Sequence, residues 1–205
     1  MSTTTLPLSV PDAVKMRHAI RAYTPEPIPQ ADLDAILHET ILAPSSSNLQ
    51  PWRFVVVKDA AARQRLAGAA YQQKQITAAP AVIAIYSDMG DTLASLDQVT
   101  RPGASPEQAA GFRKMIDGYF GKLSEAEREA WGREQGFIAL GFLLLAATAH
   151  GYATSPMGGF DEAAVKQVLD LPANARVVAL VALGHGAEAG TPHHRHSAER
   201  IVRTI

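Results

Sequence analysis

The chain has 205 residues, of which 47% are hydrophobic and 19% are charged, as is typical of a globular domain with a sizeable buried core. Its net charge of -1 gives no electrostatic reason to expect nucleic acid or an anionic membrane as a partner. Because there is no cysteine, the sequence excludes disulfides, thiolate nucleophiles and cysteine-based metal sites, which also fits a reducing compartment.

Residues 1–14 lack the basic and apolar regions of a signal peptide, so we expect a cytoplasmic protein. Apolar residues at helical spacing then predict helices over residues 11–20, 29–43, 59–71, 105–122 and 161–171. A longer helix is predicted from Ser124 to about His150, with Glu127 completing a capping box and Gly151 ending the helix. Its most apolar part, residues 136–149, is too short to span a bilayer and predicts a buried core helix.

Three short runs rich in β-branched residues predict buried strands over residues 53–58, 79–87 and 175–184. Few strands among six or more helices indicate a small sheet in an α+β or irregular α/β fold. No repeat, low-complexity tract or linker divides the chain, so we expect one domain. Residues 90–105 are predicted to form a mobile loop.

The connection 42-LAPSSSNLQPW-52 contains three consecutive serines and two amides between prolines. A tight turn needs glycine or asparagine at one or two positions and has no use for so many short hydrogen-bonding side chains. This composition predicts that the connection contacts a ligand.

Two basic segments of the sequence could bind an anionic ligand. Arg17 and Arg21 are four residues apart and would share one face of the predicted helix, where they could bind a phosphate or form a solvated basic edge. The tail 192-PHHRHSAER-200 could form a metal site, a phosphate site or a polar terminus. Since no carboxylate stands at ligand spacing and no zinc motif is matched, we expect no metal.

Two glycine-rich segments lead to different predictions. The run 183-LGHGAEAG-190 follows a strand, but its glycine spacing is wrong and residues 191–196 do not start a helix, so a Rossmann site is not predicted. In 151-GYATSPMGGFDEAAV-165, two adjacent glycines could offer backbone N–H groups to a flat or anionic ligand, or could simply form a flexible connection.

Together these segments resemble the FMN-dependent nitroreductase family from about residue 11 to the C-terminus. The segment 43-APSSSNLQPW-52 matches the family pattern A-P-S-S-x-N-x-Q-P-W at every defined position. The other matching segments, in the family's order, are 17-RHAIRAY-23, 151-GYATSPMGGFD-161, 181-VALG-184 and 192-PHHR-195. The chain departs from the family at Ala19, where many members carry serine, at Gly158, where many carry glutamate, and at His193, where lysine is common.

The resemblance implies an α+β nitroreductase-like fold, with a small, mostly antiparallel central sheet surrounded by helices, in an interlocked homodimer. Residues 1–205 would form a single FMN-binding domain, and residues of about 90–130 would form a helical excursion over the substrate pocket. In this family the FMN lies at the dimer interface, where the serine-rich loop of one subunit contacts the FMN held mainly by the other.

Site residues follow from the same motifs. Arg17 and Arg195 would hold the FMN phosphate with help from His18 and His193, and Arg21 would reach the pyrimidine edge of the ring. The remaining cofactor contacts implied by the resemblance are Ala19, Pro44, Ser45, Ser46, Asn48, the loosely matched Gln72, and Pro156, Met157, Gly158 and Gly159 beside the reactive N5.

The implied activity is a ping-pong oxidoreduction that uses no conventional catalytic side chain. NADH or NADPH would pass hydride to flavin N5, and a nitroaromatic, a quinone or a similar small-molecule acceptor would take it up. Tyr119 and Phe120 are candidate substrate contacts, although aromatic residues at helical spacing equally suit core packing. The alternatives are the same fold acting on an enone, a halogenated phenol or flavin, or a flavin-binding redox sensor with negligible turnover.

Overall fold

A computed structural model describes residues 7–205. The first six residues lie outside this range. They are part of the predicted domain and of residues 1–14, which lack the features of a signal peptide. The helices are α1 (Val10–Met16), α2 (Gln30–Thr40), α3 (Ala60–Ala69), α4 (Lys74–Ala78), α5 (Met89–Ala94), α6 (Leu96–Val99), α7 (Pro106–Phe120), α8 (Glu125–Ala149), α9 (Glu162–Leu169) and α10 (Ala198–Ile201). The strands are β1 (Trp52–Val57), β2 (Ala81–Ser87), β3 (Ala153–Met157) and β4 (Arg176–Gly184).

The four strands form one antiparallel sheet in the order β1-β2-β4-β3, which confirms the α+β class and the small antiparallel sheet. Side chains alternate between its two faces because successive residues of a strand point in opposite directions. Ile83 and Ile85 pack with Leu143 of α8 in one core cluster, whereas Val82 packs with Leu66 of α3 in another. The sheet therefore lies between a helical layer built on α8 and one built on α3 and α9.

The strand β3 lies where the sequence predicted only a glycine-rich connection. It pairs with β4 on one side, and Pro156 is tolerated because an edge strand does not need every backbone N–H for the sheet. On its other side the backbone N–H of Ile20 donates to the carbonyl of Thr154 at 3.0 Å. The prediction of three strands was therefore short by one.

The helix predicted over residues 11–20 ends early. Helix α1 stops at Met16, and Ala19 then forms a parallel bridge to Thr154. Arg17 and Arg21 consequently do not share a helical face, and that prediction was wrong. Pairing with β3 gives the backbone of this segment a hydrogen-bond partner in place of a further helical turn.

The predictions for α8 were correct at both ends. Ser124 and Glu127 form the capping box, and Gly151 follows the helix in the left-handed conformation with φ of 82°. Residues 90–105, predicted as a loop, instead contain α5 and α6, which pack Leu96 against Phe120 of α7. Within residues 7–205 no helix is long and apolar enough to cross a membrane.

Candidate active site

A cleft of about 310 Å³ brings together the two basic segments of the sequence, and we call it the basic cradle. The imidazole rings of His18 and His193 lie with their centroids 4.4 Å apart. The residues that line the cradle are Arg17, His18, Ala19, Arg21, Thr191, Pro192, His193, His194 and Arg195. The fold thus brings residues 17–21 and residues 191–195 into one cleft.

Like charges meet in the basic cradle. Burial lowers the pKa of the Arg17 guanidinium, and the neighbouring charge of Arg195 lowers it further. No ion pair formed within residues 7–205 involves Arg17, Arg21 or Arg195. Arg195 instead donates to the carbonyl of His194 at 2.8 Å. A phosphate would offset this repulsion and accept charge-assisted hydrogen bonds.

The basic cradle is held in shape by the segment that follows β4. Glu188 Oε1 accepts hydrogen bonds from the backbone N–H groups of Arg21 at 2.6 Å and Ala22 at 3.2 Å. The backbone N–H of Ala187 donates to the carbonyl of Ala22 at 2.9 Å. Sequence reasoning missed Glu188, because its partners are 166 and 167 residues away and its run of glycines was considered only as a dinucleotide loop.

The bridge between Ala19 and Thr154 joins the start of β3 to the basic cradle, and Gly158 and Gly159 follow the other end of this strand. After Met157, which is buried, Gly158 and Gly159 are exposed, so their backbone can be approached from outside. The side chain of Gln73 donates to the carbonyl of Gly159 at 2.7 Å. The neighbouring Gln72, which the sequence matched to a family position that contacts the ring edge, is exposed.

The serine loop, residues 44–48, folds into a short 3₁₀ turn and lines different cavities from the basic cradle. Its backbone is strained at Ser47, whose φ of 53° costs a non-glycine residue about 1–2 kcal/mol, whereas Asn48, with φ of 56°, is a residue type that tolerates this conformation. The loop is anchored by hydrogen bonds from the backbone N–H of Ser46 to Gln135 Oε1 at 3.0 Å and of Gln50 to Ser45 Oγ at 2.9 Å.

Strain of this kind occurs at functional sites, so the loop geometry supports the ligand role predicted from its composition. Pro44, Ser46 and Asn48 are exposed and Ser45 is half-buried. Within one chain, therefore, the predicted cofactor residues of the serine loop are separate from those of the basic cradle.

Both predicted substrate residues line a cavity of about 290 Å³ beside the serine loop. Tyr119 is 55% exposed and can offer its ring to a ligand, whereas Phe120 is 3% exposed. Phe120 packs edge-on against Tyr119 and Trp131, with centroid distances of 5.0 and 4.9 Å. Core packing therefore accounts for most of the Phe120 side chain.

The histidines of the tail do not form a metal centre with acidic neighbours. Among residues 7–205, no group of three or more histidine, aspartate or glutamate side chains could hold a metal ion. His18 is oriented by its own backbone, because its Nδ1 lies 2.8 Å from the carbonyl of Met16 and must donate to it.

An apolar face exposes large side chains that a single chain leaves uncovered. Val10, Met16 and Leu42 are between 59% and 70% exposed. A cavity of about 470 Å³ opens on this face between α1, α2 and α8, and its lining includes Val10, Leu42, Phe142 and Leu145. Contiguous exposed apolar surface is typical of a protein interface.

Comparison with known proteins gives consistent matches. A model described as the nitroreductase family matches residues 14–185. A relative from Thermus thermophilus, named NADH dehydrogenase, is 43% identical over 199 residues, which cover 97% of this chain and 97% of that protein. A Bacillus subtilis relative named as NAD(P)H nitroreductase YdgI is 33% identical over 199 residues, covering 93% of this chain and 95% of that protein.

A solved structure named as a nitroreductase in complex with FMN, from Exiguobacterium sibiricum, has the same fold. Its TM-score is 0.87 at 28% sequence identity, and the match covers 99% of this chain and 100% of that one. The similarity thus extends well beyond the short motifs to the whole described fold.

Proposed function

The chain belongs to the nitroreductase family, and we propose that it uses FMN to carry hydride from NADH or NADPH to nitroaromatic, quinone or similarly electron-poor acceptors. FMN, when bound, supplies the hydride chemistry, and the protein supplies placement and electrostatics. In this proposal residues 1–205 form one FMN-binding domain, and α5, α6 and α7 form the excursion beside the substrate pocket.

The observation that carries this proposal is the charge of the basic cradle. Arg17 and Arg195 face one another with no acidic partner in the described chain, and burial together with their mutual repulsion lowers the pKa of Arg17. A phosphate is the ligand that this arrangement fits, since each guanidinium can donate two hydrogen bonds to it. His18 and His193 stand beside it and add donors when protonated.

The rest of the cofactor would extend from the basic cradle towards the end of β3. Arg21 is exposed and can place a cation at the pyrimidine edge of the ring, where negative charge accumulates on reduction. Gly158 and Gly159 can offer backbone N–H groups to the ring. Many relatives have glutamate at position 158, but a backbone N–H is present whichever side chain stands there. Ala19 contributes its backbone, because its side chain has no hydroxyl.

We also propose that the protein acts as a homodimer, in which the serine loop completes the site of the other subunit. Two features of a single chain support this: the serine loop and the basic cradle line different cavities, and the apolar face is exposed. The C-terminal tail can serve as an arm that packs on a neighbour, since its apolar residues Ile201, Val202 and Ile205 are at least 64% exposed.

The test is flavin reduction and reoxidation in the purified protein under anaerobic conditions. NADH or NADPH should bleach the absorbance of bound FMN, and added quinone or nitroaromatic should restore it, with steady NAD(P)H oxidation when acceptor is in excess. Bound flavin that neither nucleotide reduces would contradict the proposal and favour a redox sensor. Reduction without reoxidation by these acceptors would indicate another acceptor class, such as an enone.

A further inference from the structure

A cavity that the serine loop lines has a volume of about 530 Å³, and we call it the loop cavity. It lies between the serine loop, the end of α6 and the start of α7. Val99 and Phe112 give it apolar walls, and Ser47 and Asn48 form part of its rim. Of the described residues that line it, Arg101 alone carries a formal charge.

Most polar side chains around the loop cavity are already engaged within the chain. The Thr100 hydroxyl donates to the carbonyl of Leu96 at 2.8 Å, and Gln108 Oε1 accepts from the backbone N–H of Ser105 at 2.9 Å. Asn48 Nδ2 lies 3.5 Å from the carbonyl of Val99. By contrast, no ion pair within residues 7–205 involves the Arg101 guanidinium.

We propose that the loop cavity receives electron acceptors that combine a flat apolar ring with an anionic group, and that Arg101 selects them by binding that group. The inference rests on the proposed function, which places the serine loop, and hence the loop cavity, beside the flavin of the other subunit. Apolar walls favour an aromatic ring, and a single cation in a cavity without carboxylates favours a carboxylate or sulfonate on it.

The expected selectivity for anionic acceptors is small because the Arg101 side chain is exposed. Arg101 is exposed, so salt and water screen its attraction for an anion, and exposed ion pairs contribute little. We therefore expect selectivity of about fivefold, which weakens as ionic strength rises. Binding of neutral acceptors depends on the apolar walls and should not depend on Arg101.

The experiment compares two quinones, 1,4-naphthoquinone-2-sulfonate and the neutral 2-methyl-1,4-naphthoquinone, with the natural protein, Arg101→Gln and Arg113→Gln. Arg113 is an exposed cation of α7 that does not line the loop cavity, so it controls for a general loss of charge. Because the quinones differ in potential, each variant is compared with the natural protein on the same quinone. Arg101→Gln should lower kcat/KM about fivefold for the sulfonate and leave the neutral quinone unchanged.

A second readout does not depend on turnover. Calorimetry with 2-naphthoate and its neutral amide should show weaker binding of naphthoate to Arg101→Gln and equal binding of the amide. Equal losses for both quinones, equal losses in Arg113→Gln, or unchanged naphthoate binding would overturn the inference. If neither quinone is reduced by any variant, the quinone part of the proposed function fails, and the naphthoate comparison still decides the role of Arg101.

Discussion

Gly190 and His18 are packed so closely that a Cβ at position 190 would lie 2.2 Å from the Cβ of His18. The chain passes this point on its way from β4 to Arg195, and His18 carries the ring that meets His193. Only a residue without a side chain lets the tail lie against the segment after α1. The shape of the basic cradle therefore depends on a glycine for which no contact with FMN is proposed.

Gly190→Ala should displace the tail from His18 and weaken FMN binding. Overpacking of this kind costs about 1–3 kcal/mol, so we expect a loss of affinity of roughly tenfold or more, measured by quenching of flavin fluorescence. Gly118→Ala is the control, because a Cβ there would meet nothing within 4 Å, and alanine favours a helix by up to about 1 kcal/mol. Unchanged FMN affinity in Gly190→Ala would show that the tail can shift without cost.

Arg195→Ala should weaken FMN binding by about ten- to a hundredfold, which corresponds to roughly 1.5–3 kcal/mol for a lost charge-assisted hydrogen bond. Removing Arg195 also removes a repulsion that lowers the pKa of Arg17, so the measured loss is the net of both effects. Arg200→Ala removes an equally exposed cation five residues further along, outside the basic cradle, and should bind FMN normally. Equal titration curves for the two variants would place the phosphate elsewhere.

Leu42→Glu should weaken the proposed dimer, because it puts a charge on the exposed apolar face beside Phe142. Light scattering should then report monomer at concentrations where the natural protein is dimeric. FMN occupancy should fall as the dimer dissociates, since the serine loop would no longer contact the FMN site of the other subunit. Ala163→Glu, at an exposed position of α9, introduces the same charge outside this face and should remain dimeric. A folded natural monomer with full FMN occupancy would refute the dimer.

Local signals made much of the fold predictable. The β-branched runs gave β1, β2 and β4, and the spacing of Ser124 and Glu127 located the start of α8, because strand periodicity and helix caps depend on neighbouring residues. The strand β3 was missed because Pro156 and the glycines around it are turn signals locally. Its strand conformation comes from pairing with β4, which only the folded sheet provides.

The site shows the same division between local and long-range causes. The motifs identified the residues of the basic cradle, yet the helix predicted to place Arg17 and Arg21 on one face does not reach them. The fold brings Arg17 to Arg195 through the bridge of Ala19 to Thr154 and the hydrogen bonds of Glu188. Such contacts join segments more than 130 residues apart, and no periodicity in the sequence reports them.

Glu129 of α8 should make stability depend on pH in the opposite sense from most carboxylates. Its side chain is buried, and Oε1 accepts hydrogen bonds from the backbone N–H of Met89 at 3.2 Å and from Asn174 at 3.0 Å. Burial raises the pKa of Glu129 despite these bonds, and the nearby Asp88 raises it further. The folded protein therefore holds this proton more tightly than the unfolded chain does, so its free energy of unfolding falls as pH rises through this range.

Glu129→Gln removes the titration and keeps both hydrogen bonds, since a glutamine Oε1 can accept the same two donors. We expect the variant to unfold at higher urea than the natural protein at pH 7, and the difference to shrink as pH falls below the raised pKa of Glu129 towards 4.

Glu127→Gln is the matched control on the same helix. Hydrogen bonds with Ser124 lower the pKa of Glu127, so its contribution is present at neutral pH and is lost on acidification. Glu127→Gln should therefore destabilise the protein at pH 7 and become neutral in acid. For each variant, the difference in urea midpoint from the natural protein is followed against pH. If this difference changes with pH in the same way for Glu129→Gln and Glu127→Gln, the two carboxylates do not have opposite roles.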